Sequence, residues 1–242
     1  IHDLAGALEA QNLGFKRAVL SRELSLDEIR YIAERTDIEL EAFVHGAMCI
    51  SYSGRCLLSN YMTARDSNYG ACSHPCRWQY SLMEEKRPGE YMPVYENERG
   101  TFIMNSKDLC MIEHIPDLVN TGISSFKIEG RAKSAYYTSV VTNAYRQAID
   151  GYLKNPVDTY KPEQWVIDEM YKMSSREYCT GFYYGHPTEN AQIYYDGGYK
   201  RDWSVMAEVL DYKEGRVYAR QRNRIFDGDL LEVLQRGLKP YD

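Results

Sequence analysis

The chain has 242 residues, 44% hydrophobic and 26% charged, with a formal net charge of −6. It contains no run of about 18 apolar residues, which excludes a membrane-spanning helix, and its acidic balance excludes a globally basic nucleic-acid coat while leaving room for a local basic patch. The opening IHDLAGALEAQ has neither a basic stretch nor an apolar run behind one, so it is no signal peptide.

Without a secretion signal the expected compartment is the cytoplasm, where clustered cysteines more often bind metal or do redox chemistry than form disulfides. The chain lacks an initiator Met and opens inside a helical pattern, so it reads as a piece of something longer.

Asp3 is placed to cap a helix through Gln11, ending near Gly14. Residues 16–21 (KRAVLS) have the pattern of a short buried strand. Ser25 and Glu28 make a capping box for a helix to about Arg35, and residues 39–44 (ELEAFV) form the next strand. This alternation predicts parallel α/β architecture. A short helical turn is expected at 57–62, and strands at 78–83 and 101–104. Ser106 is expected to cap a turn through Cys110 and Met111. Pro116 opens a helix ending at Gly122, and residues 124–128 (SSFKI) form a strand. A long helix follows from about Ser134 to Leu153, stopped by Asn155-Pro156, and Pro162 opens a shorter one to about Met173. Beyond a Tyr- and Gly-rich stretch, residues 205–212, 216–221 and 229–234 have the pattern of three strands. The chain therefore divides into an α/β part at 1–155, a connecting region at 156–203 and a terminal β-unit at 204–242.

Four of the six cysteines (Cys49, Cys56, Cys72 and Cys76) fall within one stretch that leaves the strand at 39–44. In parallel α/β folds that C-terminal edge is where chemistry is placed. Cys72 and Cys76 form a C-x3-C pair, whereas Cys49 and Cys56 are too far apart for a zinc knuckle. An iron–sulfur cluster takes thiolates at irregular spacing, and Cys110 lies where it can reach back into the same site. The spacing leaves iron–sulfur, zinc and free structural thiols open. His74 is a lesser ligand candidate, and Cys179 is expected to be a packed thiol.

A second constellation is Lys127, Glu129, Arg131 and Lys133. Alternation puts Lys127 and Glu129 on one face, with Arg131 at the mouth, an arrangement suited to a carboxylated or phosphorylated ligand. The alternative is a structural ion pair at the strand end. Glu39 and Glu41 alternate along the earlier strand with His45 on the same parity. The 22 tyrosines suit stacking on RNA bases as well as half-buried strands. No G-x-S-x-G or H-E-x-x-H marks a peptidase.

The stretches EAFVHGAMC (41–49), SGRCLLS (53–59), NSKDL (105–109), FKIEGR (126–131) and AYRQAI (144–149) closely resemble the signature of peptidase family U32, the collagenase-like peptidases. The resemblance covers residues 4–234. It implies a partial TIM-barrel-like domain followed by a small β-barrel-like unit. Family members are named as peptidases, while other relatives support oxygen-independent hydroxylation of RNA or of ubiquinone precursors and hold an iron–sulfur cluster on four cysteines. The NYMTARDSNYGAC stretch (60–72) and RPGEY (87–91) resemble the tRNA branch. For that branch the resemblance implies a wobble uridine converted to 5-hydroxyuridine with prephenate as co-substrate. Carried onto this chain, the cluster ligands are Cys49, Cys56, Cys72 and Cys110, with Cys76 as the alternative fourth. Zinc in place of a [4Fe–4S] cluster is a further expectation for a fragment. The catalytic candidates are Glu41, His45, Lys127, Glu129 and Arg131, and the expected partners are tRNA and a small carboxylated metabolite. The competing functions are a U32 peptidase and a non-catalytic RNA-binding module. The sequence is silent on oligomeric state.

Overall fold

The computed structural model describes residues 1–49, 51–78, 82–83, 91–92, 106–130, 133–187 and 203–241. Its centre is a sheet in which β2 (Glu39–Gly46) runs parallel to β1 (Arg17–Val19) on one side and to β6 (Ser125–Ile128) on the other. Two short strands extend it: β5 (Asp108–Cys110) pairs antiparallel with the end of β2, and β7 (Tyr178–Cys179) pairs parallel with β5. The strands of this sheet do not close into a barrel among the described residues. A separate two-residue pairing joins β3 (Leu82–Met83) to β4 (Tyr91–Met92).

The helices form where local chemistry starts and stops them. Asp3 accepts from the Gly6 N–H at 2.8 Å and begins α1 (Leu4–Asn12). In the capping box of α2 (Leu26–Ala33), the Ser25 N–H donates to Glu28 at 2.8 Å while the Glu28 N–H donates to the Ser25 hydroxyl at 3.3 Å. α3 (Leu58–Thr63) lies in the cysteine stretch, and α4 (Ile115–Asn120) starts one residue before Pro116. Ser134 caps the long α5 (Ala135–Lys154), and α6 (Gln164–Lys172) packs against it.

The sheet has two unlike faces. Leu40, Ala42 and Val44 point into a core with Ile29 and Ile32 of α2, Ile115 and Leu118 of α4, and Val140, Val141 and Ala144 of α5. The opposite face of β1, β2 and β6 carries Arg17, Glu39, Glu41, Phe43, Ser125 and Lys127. Between Phe43 and His45 the pairing slips: Phe43 stands beside Lys127, but His45 stands beside Ile128, so Val44 is an extra residue in β2. The slip turns His45 onto the core face, against the alternation that put it in line with Glu39 and Glu41.

Two expectations from the sequence are corrected. Residues 108–110 are a strand rather than part of a capped turn, because their backbone completes the end of β2. The terminal β-unit forms one hairpin, β8 (Ala207–Lys213) with β9 (Arg216–Gln221). Among the described residues, 229–234 supply a single bridge, Val233 to Tyr241, in place of the third strand. The strand expected at 101–104 lies outside the described residues.

Candidate functional site

The parallel strands β1, β2 and β6 end on one edge. Arg22 follows β1, Cys49 follows β2 and Glu129 follows β6. Gly46 makes this convergence possible. It has φ +110°, and a β-carbon there would lie 2.3 Å from the Glu129 carbonyl oxygen. The Glu129 N–H donates to the His45 carbonyl at 2.9 Å, which fixes the last rung between the strands.

The loop leaving β2 is tied down on both sides. Glu23 accepts from the backbone N–H of Ser53 at 2.9 Å and from its hydroxyl at 3.1 Å. Ser59 and Thr63 of α3 exchange hydrogen bonds with the Ser73 hydroxyl at 3.0 and 2.8 Å, and the Ser73 N–H donates to Ser59 at 3.1 Å. Those contacts fasten the Cys72 segment against α3. Ala64 and His74, neither of them glycine, adopt left-handed backbone conformations at the turns of this loop.

The sulfurs here are hydrogen-bond acceptors. Burial alone raises the pKa of the Cys56 thiol. The Ser67 and Ser51 hydroxyls and the N–H groups of Leu58 and Ser59, at the start of α3, pull it below its ordinary value. The His74 N–H donates to the Cys72 sulfur at 3.3 Å. Cys49 is exposed, receives the Ser51 N–H, and lies within electrostatic range of Cys56, Cys72 and Arg22; burial of its sulfur dominates and pushes its pKa up. Three thiols therefore share one loop, each with an N–H aimed at sulfur. That donor chemistry fits a thiolate-held iron–sulfur cluster, whose sulfurs are tuned by such bonds. Among the described residues no three Cys, His, Asp or Glu side chains converge as ligands of a single metal ion.

Cys110 sits opposite His45 in the β2–β5 pairing, at the same edge. Burial pushes its thiol up to about 11; the Ile112 N–H and the Tyr145 hydroxyl lower it, and Cys179 lies within electrostatic range. A cavity of about 160 Å³ runs beside it, lined by Cys110, His114, Met170, Tyr178 and Cys179 among others. Cys76 is half-buried in the single turn Pro75–Arg77.

The charged candidates pair differently from the simple alternation. Lys127 reaches Glu41 at 3.2 Å rather than Glu129, and its side chain is 38% exposed. Glu41 also accepts from Ser125 at 2.8 Å and from Arg17 at 3.4 Å. Glu129 faces Arg22 at 3.7 Å. Desolvation works against Glu41, yet the Ser125 and Lys127 hydrogen bonds hold it below the usual carboxylate range. Arg131 lies outside the described residues. Lys133 donates to the Ser174 carbonyl at 2.6 Å.

His45 is 1% exposed, and neither ring nitrogen has a hydrogen-bond partner. Its ring lies among Tyr137, Tyr145 and Tyr178, with centroids 6.0, 5.6 and 5.3 Å away. Burial and the nearby Lys133 lower its pKa to about 3, so it is a neutral core imidazole.

Sequence reasoning passed over Arg22, Glu23 and Phe43. The Arg22 guanidinium carbon lies 3.7 Å from the centroid of the Phe43 ring, and burial lowers its pKa against the fields of Glu129 and Cys49. The available signal was position, since an Arg-Glu pair directly past a strand end falls on the edge where parallel sheets place ligands.

The model of the family described as "Peptidase family U32" matches residues 1–193. The tRNA hydroxylation protein P1 of Bacillus subtilis (strain 168) is 42% identical over 221 residues, covering 90% of this chain and 52% of its own length. The tRNA hydroxylation protein P of Escherichia coli (strain K12) is 37% identical over 267 residues, covering 93% and 58%. A 23S rRNA 5-hydroxycytidine synthase of the same organism is 39% identical over 166 residues, covering 69% and 24%. The chain spans about half the length of the tRNA hydroxylation proteins it matches. No solved structure matches it. Among the described residues no helix is long and apolar enough to cross a membrane.

Proposed function

Because the chain belongs to peptidase family U32, we propose that it is part of a cytoplasmic RNA-modifying protein that supports oxygen-independent hydroxylation of a tRNA wobble uridine to 5-hydroxyuridine. The names of its relatives support the reaction class. The observation that carries the chemistry is the set of N–H groups directed at the sulfurs of Cys49, Cys56 and Cys72 on one loop.

In this reading those three thiols hold a [4Fe–4S] cluster, with Cys110 as the fourth ligand and Cys76 as the alternative. Such a cluster supplies one-electron redox chemistry when bound. The chain's own residues hold the loop in place through Glu23 and Ser53, donate hydrogen bonds to sulfur, and set a charged face beside it. The parallel β1–β2–β6 unit is consistent with part of a TIM-barrel-like domain, whose C-terminal edge carries the site. The partners in this reading are tRNA and a small carboxylated metabolite, prephenate by resemblance.

The peptidase reading has less support. An attacking cysteine needs a lowered pKa and an imidazole beside it. Cys110 is pushed up, His45 is enclosed by tyrosines, and Cys56, which is held low, owes that to serine hydroxyls and backbone N–H groups rather than to an imidazole.

The test is nucleoside analysis of tRNA from a deletion strain carrying the full-length wild-type or Cys49→Ala protein. Restoration of 5-hydroxyuridine derivatives by the wild type alone supports the proposal. Equal restoration by both, or by neither, overturns it.

A further inference from the structure

We infer that Arg22 is the anchor for the carboxylate of a small organic acid bound at the C-terminal edge of the sheet, beside Cys49. This inference rests on the proposed reading for the location of the chemistry, but its evidence is the state of one guanidinium.

The Arg22 side chain is only 17% exposed. Its planar head lies over Phe43, which fixes the direction of its N–H edges. It makes no hydrogen bond to any described residue. The nearest carboxylate, Glu129, stands at 3.7 Å, beyond hydrogen-bond reach. A guanidinium largely withdrawn from water, whose one ion pair among the described residues is that long contact, keeps most of its donor capacity unused, which is costly to maintain. A binding site explains that cost, since donors held ready need no rearrangement when the ligand arrives.

The other cations on this side of the sheet are engaged. Arg17 donates to Glu39 at 2.9 Å, and Lys127 holds Glu41 at 3.2 Å. Among the described cations of this face, Arg22 combines burial, a fixed plane and donors without a hydrogen bond, and it stands where β1, β2 and β6 end together. A guanidinium fork matches a carboxylate with two parallel bonds. Phosphate shares that oxyanion chemistry, but Glu129 and Glu23 both lie within the field of Arg22. A monoanionic carboxylate is compatible with two nearby acids, whereas a dianionic phosphate is repelled by them. The limited exposure also disfavours an RNA backbone, whose phosphates stay on the outside of the strand.

The experiment is ligand-observed NMR titration of the chain, in wild-type, Arg22→Gln, Arg22→Lys and Arg17→Gln forms. The probes are pyruvate, benzoate, phenylpyruvate, inorganic phosphate and a short single-stranded oligoribonucleotide. At least one of the three acids is expected to bind the wild type and Arg17→Gln alike. Its affinity should fall by about tenfold or more in Arg22→Gln. Arg22→Lys keeps the charge without the fork and should also weaken binding; it decides the matter if circular dichroism shows Arg22→Gln unfolded. No acid binding to the wild type, equal acid binding in the Arg22 variants, or an Arg22 dependence confined to phosphate or RNA would each overturn the inference. Binding is read on the chain without a cluster, so its failure is separate from that of the hydroxylation reading, which the Cys49→Ala complementation reports.

Discussion

Gly46 and Glu129 meet backbone to backbone, so close that a β-carbon on Gly46 would lie 2.3 Å from the Glu129 carbonyl oxygen. Two parallel strands are pinched together there, immediately before one of them gives way to the cysteine loop. Gly46→Ala meets both a positive φ and a rigid backbone neighbour. A loss on the order of 3 kcal/mol is expected, read as a lower denaturant midpoint. An unchanged midpoint would show that the edge is loose rather than pinched.

Tyr145 performs a similar task from inside the core. Its hydroxyl donates to the Val44 carbonyl at 2.7 Å and accepts from the Met111 N–H at 3.0 Å, joining β2 to the segment after β5. The Met111 N–H also donates directly to the Val44 carbonyl at 3.0 Å, so Tyr145→Phe leaves both backbone groups one partner and is expected to cost about 1 kcal/mol. Thermal melting checks this. A shift no larger than that of an exposed control, Tyr171→Phe, would mean that the bridge contributes little.

His45 should behave in the opposite sense. His45→Phe removes two buried nitrogens that lack partners and fills the tyrosine cage with a ring of similar size. At neutral pH the change is expected to be neutral or stabilising by about 1 kcal/mol. The pH dependence is sharper. Unfolded, the imidazole takes its proton near pH 6.5; folded, burial holds its pKa to about 3. Between those values the unfolded state binds the extra proton, so wild-type stability falls as pH falls, by at most about 1.4 kcal/mol per unit. The phenylalanine variant should lose that slope. Parallel wild-type and variant curves from pH 6.5 down to 4 would refute the assignment.

The identity of the fourth cluster ligand can be read directly. After anaerobic reconstitution of the full-length protein, Cys110→Ser should abolish the visible absorption band and iron retention, while Cys76→Ser keeps both. The converse result would give the place to Cys76. Retention by both single variants, with loss only in the double, would make the two interchangeable.

Much of this was legible from local signals. Asp3, the Ser25–Glu28 box and Ser134 announce their helices through short-range hydrogen bonds, and Leu40, Ala42 and Val44 announce a core face through alternation. What stayed hidden depends on partners remote in sequence. Residues 108–110 become a strand only because β2 has an open end there. Among the described residues the expected strand at 229–234 has no such neighbour and makes one bridge. Lys127 pairs with Glu41 while Glu129 faces Arg22, a residue more than a hundred positions away in the chain. The alternation failed at His45 for the most local of reasons, one unpaired residue.

That residue, Val44, acts as a phase slip. Upstream of it, odd-numbered positions of β2 face the ion pairs; downstream, the count is reversed. Deleting Val44 would place the histidine directly after Phe43, still opposite Ile128 and still turned toward the tyrosine cage. The extra residue therefore adds length without exposure: it sets Cys49 one position further from the charged face that Glu41 and Phe43 share, while the imidazole stays dry. The thiol loop and the ion-paired face are spaced by a residue without a counterpart in β6.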